Sequence, residues 1–211
     1  SAAYHGPTSF AVEPDWSAAS YWYELVALSP DPKTRVLLRG LHAESVQGDA
    51  ACVDLFAPLG VKTEFTREGA CLTKQNAPIS ALYQRDFSAT PDLAQTLVVT
   101  CALLRRAFRF TGLASLHIKE TDRIAALTQE LQQFGVQLTS PALGTLQYVP
   151  DAPSLQPLDG GNVPQIQTYD DHRMALAFAP AALVTGAVEI HHPEVISKSY
   201  PHYWDDLRRL G

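Results

Sequence analysis

The hydrophobic pattern of the chain repeats three times. In each copy an acidic residue and a short polar turn precede a long apolar segment, and these segments begin at Asp15, Asp92 and Asp171, spaced 77 and 79 residues apart. Nearly every position of the segments is apolar, as expected of helices that are buried on all sides. Self-similarity at a fixed interval indicates that one supersecondary unit recurs along the chain.

A second helix is predicted in each copy. Apolar residues at three- to four-residue spacing lead up to Gly60, Gly135 and Gly211, which are 75 and 76 residues apart. Glycine directly after such a segment is typical of a helix C-terminus, because it adopts the left-handed conformation at little cost. Each copy therefore contains two helices.

Short β-branched or alternating segments predict the strands. Between the paired helices they cover residues 35–38, 108–111 and 187–191, and after the second helix they cover 61–66 with 71–73 and 136–139 with 144–149. Each copy thus follows the order β-α-β-α-β-β, at about residues 9–74, 79–149 and 163–211. We expect one α/β domain of the α+β type, pseudo-threefold, with helices inside and sheets outside. The last repeat is expected to be incomplete, because the chain ends after its second helix.

Composition and charge narrow the class of protein. The chain has 211 residues, of which 46% are hydrophobic and 18% charged, and its formal net charge is −6. It contains no apolar run near the ~20 residues that cross a bilayer, and an acidic chain is poorly suited to nucleic acid. We expect Cys52, Cys71 and Cys101 to be free and buried, which fits a cytoplasmic protein. Because the first residue is Ser1 and the single methionine is Met174, we also expect a piece of a longer protein.

Two charged segments at predicted helix starts carry candidate chemistry. Lys119 and Glu120 lead into Arg123, and on a helix Lys119 and Arg123 would share one face. Two cations at the positive end of a helix are unfavourable unless an anion offsets them. The plainer alternative is a solvated turn with a Glu–Arg pair.

The second charged segment opens the first helix of the third copy. Asp171 is the expected N-cap, and the guanidinium of Arg173 beside free backbone N–H groups would suit an anion, although an outward-facing arginine is the alternative. Lys198 lies 79 residues after Lys119, and Asp92 matches Arg173 in its copy. We expect these groups to converge at the open end of the domain.

The chain resembles the 5-enolpyruvylshikimate-3-phosphate synthase family in matching order over nearly its whole length. The matching segments are VEPDWSAASY (12–21), SVQGD (45–49), TPDLAQT (90–96), HIKETDRIAALTQELQQFG (117–135), TYDDHRMALAFA (168–179) and ISKSYPHYWDDL (196–207). KETDR and DHRMA together are highly specific for the family. The resemblance implies a protein of two similar domains, each built from three βαβαββ units. It identifies residues 1–211 with the C-terminal domain, which the family's N-terminal domain and extreme N-terminus complete.

The resemblance implies transfer of the enolpyruvyl group of phosphoenolpyruvate to the 5-hydroxyl of shikimate 3-phosphate, with release of phosphate and no metal or organic cofactor. Asp92 matches the base for the attacking hydroxyl, Lys119 lies beside it and touches shikimate 3-phosphate, and Glu120 matches the group that delivers and withdraws the methylene proton. Ser115 stands where family members often have an asparagine that contacts shikimate 3-phosphate. The cations that match the phosphoenolpyruvate contacts are Arg123, Arg173 and Lys198. By itself the chain is expected to have negligible turnover.

Three alternatives remain open on the sequence. The sister transferase acting on UDP-N-acetylglucosamine has the same fold and donor, but it matches these motifs less well. A non-catalytic anion-binding domain could keep the same cations. A purely structural repeat domain predicts instead that Lys119, Arg123, Arg173 and Lys198 scatter over the surface.

Overall fold

Buried helices form the interior of the domain. The computed structural model describes residues 12–76, 82–151 and 162–209. The first helices of the three copies are α1 (Trp16–Leu28), α3 (Ala94–Leu103) and α5 (His172–Phe178), and each packs against the other two. All ten residues of α3 are buried, including the polar Gln95, Thr96 and Thr100, which confirms the prediction of a helix buried on all sides. α5 continues through a turn at Pro180 into the short α6 (Ala182–Thr185).

The second helices of the three copies are shorter or more polar than the first helices. They are α2 (Cys52–Phe56), α4 (Arg123–Leu131) and α7 (Tyr203–Arg208). Gly60 and Gly135 follow the first two with φ angles of 88° and 66°, which confirms both predicted left-handed helix ends. The third predicted glycine, at position 211, lies outside the described residues.

Three small sheets cover the outside. The first contains β1 (Arg35–Arg39), β2 (Val61–Phe65) and β3 (Gly69–Lys74), in the antiparallel order β1-β3-β2. The second contains β4 (Tyr83–Asp86), β5 (Phe108–Thr111) and β6 (Leu146–Tyr148), in the order β4-β5-β6. In the third, β7 (Gln165–Ile166) pairs with β8 (Glu189–Ile190). The helices-inside, sheets-outside arrangement is therefore confirmed.

The sheets of the second and third copies differ in one respect. β4 and β5 are parallel, as are β7 and β8, so these strand pairs correspond. β5 also pairs antiparallel with β6 along its other edge. Within the described part of the chain no strand occupies that edge of β8, and this agrees with the expected incomplete repeat.

Several strand predictions were too long. β6 covers only three residues of the predicted 144–149. Over 136–139 only Thr139 pairs, with Gln147, because the alternating pattern there reflects burial of Val136 and Leu138 rather than strand pairing. β8 is confined to two residues of the predicted 187–191. The first strand of the first copy was expected near residue 9, outside the described residues.

The core is one continuous apolar cluster that spans all three copies. Tyr21, Trp22 and Tyr203 join α1 to α7 through aromatic contacts with ring centroids 5.6 to 6.1 Å apart. The three cysteines are free and buried, as predicted. Across residues 12–76, 82–151 and 162–209, no helix has the length and apolar character needed to span a bilayer.

Candidate active site

Charged side chains at or near the helix starts of the second and third copies surround Asp92. This residue lies in the 3-10 turn that leads into α3. Its Oδ1 is 3.3 Å from Lys119 Nζ and 3.4 Å from Arg123 Nη1, and its Oδ2 is 3.1 Å from Arg173 Nη2. Arg173 also donates from Nη1 to the backbone carbonyl of Asp92, at 3.1 Å. Asp92 therefore joins the starts of α3, α4 and α5 electrostatically.

Arg123 forms the buried centre of this network, with only 2% of its side chain exposed. Its Nε donates to Asp171 Oδ2 at 2.6 Å, and its Nη2 donates to Glu120 Oε2 at 2.8 Å. Asp171 is fully buried and also caps α5 by accepting a hydrogen bond from the backbone N–H of Arg173 at 2.9 Å. Carboxylates on several sides hold the planar guanidinium in one orientation.

The sequence prediction was wrong about where α4 begins. The helix starts at Arg123, because the Asp122 side chain accepts from the backbone N–H of Ala125 and caps it there. Lys119 has an extended backbone, with φ −86° and ψ −155°. Lys119 and Glu120 therefore reach the network from the preceding turn, and they do not share a helical face with Arg123.

Lys198 joins the network at its exposed rim. Its Nζ lies 3.5 Å from Glu120 Oε1, and 51% of its side chain is exposed. Contrary to prediction, it does not open a second helix: it ends the 3-10 helix Pro193–Lys198, and α7 starts later at Tyr203. Pro201 accounts for this delay, because proline disfavours a helical conformation in the residue before it.

Ser115 lies apart from these contacts. It is half-buried in the 3-10 turn Ala114–Ile118, and among the described residues no contact joins it to the charged network. The structure does bring six of the predicted site residues together. They are Asp92, Lys119, Glu120, Arg123, Arg173 and Lys198. This convergence contradicts the alternative of a structural domain whose cations scatter.

The two partly exposed carboxylates of the network remain ionised at neutral pH. Burial alone would raise the pKa of Asp92, but the charges of Arg173, Lys119 and Arg123 outweigh it, and the net pKa is lowered. Burial likewise opposes ionisation of Glu120, whose own backbone N–H, Arg123 and Lys198 bring its pKa below the usual value. Both groups are therefore poised as hydrogen-bond acceptors.

Sequence reasoning missed the contacts that Asp171, His172 and Tyr21 make at this site. Asp171 was interpreted only as a helix cap. The Tyr21 hydroxyl accepts a hydrogen bond from Arg173 Nη1 at 3.5 Å, and burial raises the pKa of Tyr21 to about 12. His172 Nδ1 is 3.9 Å from Glu120 Oε1, and burial and Arg173 lower the pKa of His172. The sequence did offer one signal for Asp171 and His172, because both lie between the charged residues Asp170 and Arg173 at a predicted helix start.

A turn of the first copy faces the same network. Asp49 accepts a hydrogen bond from the Ser17 hydroxyl, and Gln47 accepts one from the backbone N–H of Trp16 at 3.0 Å. These two bonds attach the turn to the start of α1. Burial raises the pKa of Asp49, which also interacts electrostatically with Arg173. The SVQGD motif therefore positions α1 and adds an acidic group beside the network.

The network is suited to binding an anion. Its ion pairs join four cations to three carboxylates, those of Asp92, Glu120 and Asp171. Among the residues that the structure describes, no group of three or more His, Cys, Asp or Glu side chains could hold a metal ion. A substrate carboxylate or phosphate could compete with Asp92 and Glu120 for the same N–H donors.

Comparisons with known proteins agree with this geometry. The family model of EPSP synthase (3-phosphoshikimate 1-carboxyvinyltransferase) matches residues 3–207. The 3-phosphoshikimate 1-carboxyvinyltransferase of Bacteroides fragilis is 50% identical over 202 residues, which cover 96% of this chain and 47% of that protein. The enzyme of the same name from Cellvibrio japonicus is 37% identical over 202 residues, covering 96% and 45%. The chain spans about half the length of the curated relatives it matches.

Solved structures share the fold. The EPSP synthase from Acinetobacter baumannii superposes with a TM-score of 0.72 at 21% identity, covering 95% of this chain and 46% of that one. The enolpyruvyl transferase NikO from Streptomyces tendae gives a TM-score of 0.64 at 15% identity, covering 95% and 43%. Together with the family match over residues 3–207, these findings show that the chain belongs to the EPSP synthase family.

Proposed function

We propose that this chain carries part of the active site of an enzyme that transfers the enolpyruvyl group of phosphoenolpyruvate to the 5-hydroxyl of shikimate 3-phosphate, releasing phosphate. Family membership supports this function. The observation that carries it is the meeting of two ionised carboxylates, Asp92 and Glu120, with four cations at one end of the domain. The proposed reaction needs no metal or organic cofactor.

The proposed donor is anionic at two places, its carboxylate and its phosphate. Arg123 and Arg173 present guanidinium groups whose side chains are 2% and 11% exposed, so their hydrogen bonds to an anion would be strong. Lys198 adds a positive charge at the exposed rim. In the proposed complex these donors turn from Asp92 and Glu120 to the substrate.

Asp92 is the proposed base for the attacking hydroxyl. It is ionised at neutral pH, since its pKa is lowered. When the substrate takes over Arg123 and Arg173, the carboxylate loses part of its stabilisation and becomes more basic. Lys119, 3.3 Å from Asp92, would bind shikimate 3-phosphate beside it.

Glu120 is the proposed proton donor to the methylene carbon. Arg123 and Lys198 help keep it ionised. An anion that binds those two cations would raise the pKa of Glu120 and allow it to hold the proton that the reaction needs. The same carboxylate then takes the proton back as phosphate leaves.

A second domain of the same enzyme is the proposed partner. It would supply the rest of the acceptor site, and a strand from it could pair with the open edge of β8, as β6 does with β5. We keep Ser115 as a proposed contact of shikimate 3-phosphate, although it lies outside the charged network. We also propose a cytoplasmic location, because free cysteines such as Cys52, Cys71 and Cys101 suit a reducing compartment.

The function can be tested by complementation. The chain is mixed with the separately expressed N-terminal half of the Bacteroides fragilis relative, and phosphate release is measured with both substrates. Activity should appear only in the mixture, and Asp92→Ala should reduce kcat by about 10²- to 10⁴-fold, the usual contribution of a general base.

Lys198→Ala should also reduce activity. Lys62→Ala is its matched control, because Lys62 also forms an ion pair and is 53% exposed, but it lies on β2 away from the site. A mixture that stays inactive, although both halves are folded and associated, would contradict the proposed function.

A further inference from the structure

The link between β7 and α5 contains two strained residues. Tyr169 and Asp170 have φ angles of 53° and 56°, so two successive non-glycine residues are left-handed. Such residues carry a conformational cost and persist only where surrounding contacts hold them. They immediately precede Asp171, which caps α5 and binds Arg123. The position of Asp171 therefore depends on whatever holds this link.

Glu130 of α4 holds the link between β7 and α5 in place. Only 1% of Glu130 is exposed. Its Oε1 accepts from the Tyr169 hydroxyl at 2.6 Å, and its Oε2 accepts from the backbone N–H of Gln167 at 3.2 Å. Gln133 donates to the same carboxylate at 2.9 Å and also to the carbonyl of Gln165 at 2.8 Å. The buried carboxylate is thus satisfied by two donors of the link together with Gln133.

α4 therefore binds the link at two points. Arg123 and Glu130 are seven residues apart, about two turns or ~10 Å along the helix, and lie on nearly the same face. Arg123 binds Asp171, and Glu130 binds Tyr169, two residues earlier in the link. A rigid helix that holds both ends leaves Asp171 little freedom to move away from Arg123.

We propose that Glu130 is a positioning residue of the candidate active site: through Tyr169 it holds the left-handed link that presents Asp171 to Arg123. The part that concerns catalysis rests on the proposed function, whereas the part that concerns Arg123 does not. Burial and the bond to Glu130 raise the pKa of Tyr169, which keeps its hydroxyl protonated as the donor.

The first experiment needs no substrate. The ¹⁵N-labelled chain is compared with Tyr169→Phe by following the Arg123 Nε–H resonance and its exchange with water. Tyr83→Phe is the matched control, because the Tyr83 hydroxyl also donates a buried hydrogen bond, to the carbonyl of Leu55 at 2.8 Å, on the sheet of the second copy. Tyr169→Phe should move the Arg123 signal and speed its exchange about tenfold, since exchange reports local opening. Tyr83→Phe should leave it unchanged.

A second pair of variants separates positioning from simple stability. Glu130→Ala should change the Arg123 signal as Tyr169→Phe does, and Glu130→Gln, which keeps an acceptor for the hydroxyl, should restore most of it. If Glu130→Ala does not fold, Tyr169→Phe alone decides. An unchanged Arg123 resonance in Tyr169→Phe, with only a lower melting temperature, would overturn the inference.

The complemented enzyme gives the kinetic readout. Tyr169→Phe should lower kcat/KM for phosphoenolpyruvate by about 10- to 100-fold, the cost of a misplaced contact, and leave the KM for shikimate 3-phosphate unchanged. If the wild-type mixture is inactive while the Arg123 resonance responds as expected, the proposed function fails and the positioning role stands. Unaltered kcat/KM in an active mixture would count against the positioning role.

Discussion

Two buried ionisable side chains, Arg123 and Glu24, have opposite surroundings. The Arg123 side chain is 2% exposed and contacts the carboxylates of Asp92, Glu120 and Asp171. Glu24 on α1 is 0% exposed, and neither of its carboxylate oxygens has a hydrogen-bond partner among the described residues. Burial of charge is costly unless it is paired, so equal burial has different consequences at the two places.

The difference shows that pairing, rather than burial, distinguishes the candidate site. Three carboxylates surround the Arg123 guanidinium and offset its positive charge. Burial raises the pKa of Glu24 well above its ordinary value against a smaller opposing effect of the Thr100 hydroxyl, so the neutral form is favoured. The titratable groups that interact with it, Cys101 of α3 and Tyr203 of α7, also have pKa values raised by burial and are uncharged. Glu24 therefore lowers the free energy of unfolding, because its polar group is buried in the helical core.

The largest expected effect comes from removing the partner of Arg123. Asp171→Ala should lower the free energy of unfolding by about 3–5 kcal/mol, because it leaves a buried guanidinium without its main carboxylate. Urea denaturation measures this. Asp122→Ala is the control, since Asp122 caps α4 from an exposed position and should cost only about 1 kcal/mol. Equal losses of stability in the two variants would contradict the claim that pairing of the buried Arg123 guanidinium stabilises the fold.

Replacing Glu24 should have the opposite sign. Glu24→Leu should raise the free energy of unfolding by about 1–3 kcal/mol, because an unsatisfied polar group leaves the core. A raised folded-state pKa contributes stability in full below the unfolded value of about 4.3, and this is lost as pH rises through the folded pKa. The advantage of Glu24→Leu should therefore be larger at pH 9 than at pH 5, by urea titration at both. Parallel pH curves would show that Glu24 is paired.

The smallest expected effect is the loss, at acid pH, of the stability that Asp92 contributes. Its folded pKa is lowered, so its contribution is present above about pH 4 and is lost as pH falls through the folded pKa. Since 35% of the side chain is exposed, solvent screening keeps this below about 1 kcal/mol. Asp92→Asn should flatten the acid limb of melting temperature against pH, measured by calorimetry. An acid limb identical to wild type would mean that its ion pairs add no stability.

Much of the fold could be predicted because burial leaves a pattern in the sequence. The largely apolar segment of α3 and the glycines after α2 and α4 identified these helices, and β5 was predicted at its observed bounds. The same pattern misled at Val136 and Leu138, whose burial imitates a strand. Apolar spacing reports which side chains are inside, whereas strand pairing depends on the position of a distant segment.

The site was only partly predictable for a related reason. Charge at helix starts indicated Asp92, Lys119, Arg123 and Arg173, and the structure brings these side chains together. The sequence did not show that Asp171 is the buried partner of Arg123, because an aspartate at a helix start is explained by capping alone. Choosing among several nearby carboxylates requires distances that only the folded chain provides.

The central claim is that the paired cations form an anion site in which phosphoenolpyruvate competes with Asp92 and Glu120. The most direct test is a titration of the ¹⁵N-labelled chain with phosphoenolpyruvate, following the arginine Nε–H resonances. The account predicts that Arg123 and Arg173 shift together and saturate, while Arg208, whose ion pair with Asp205 is exposed, does not move. Shifts that never saturate, or that affect Arg208 equally, would contradict it.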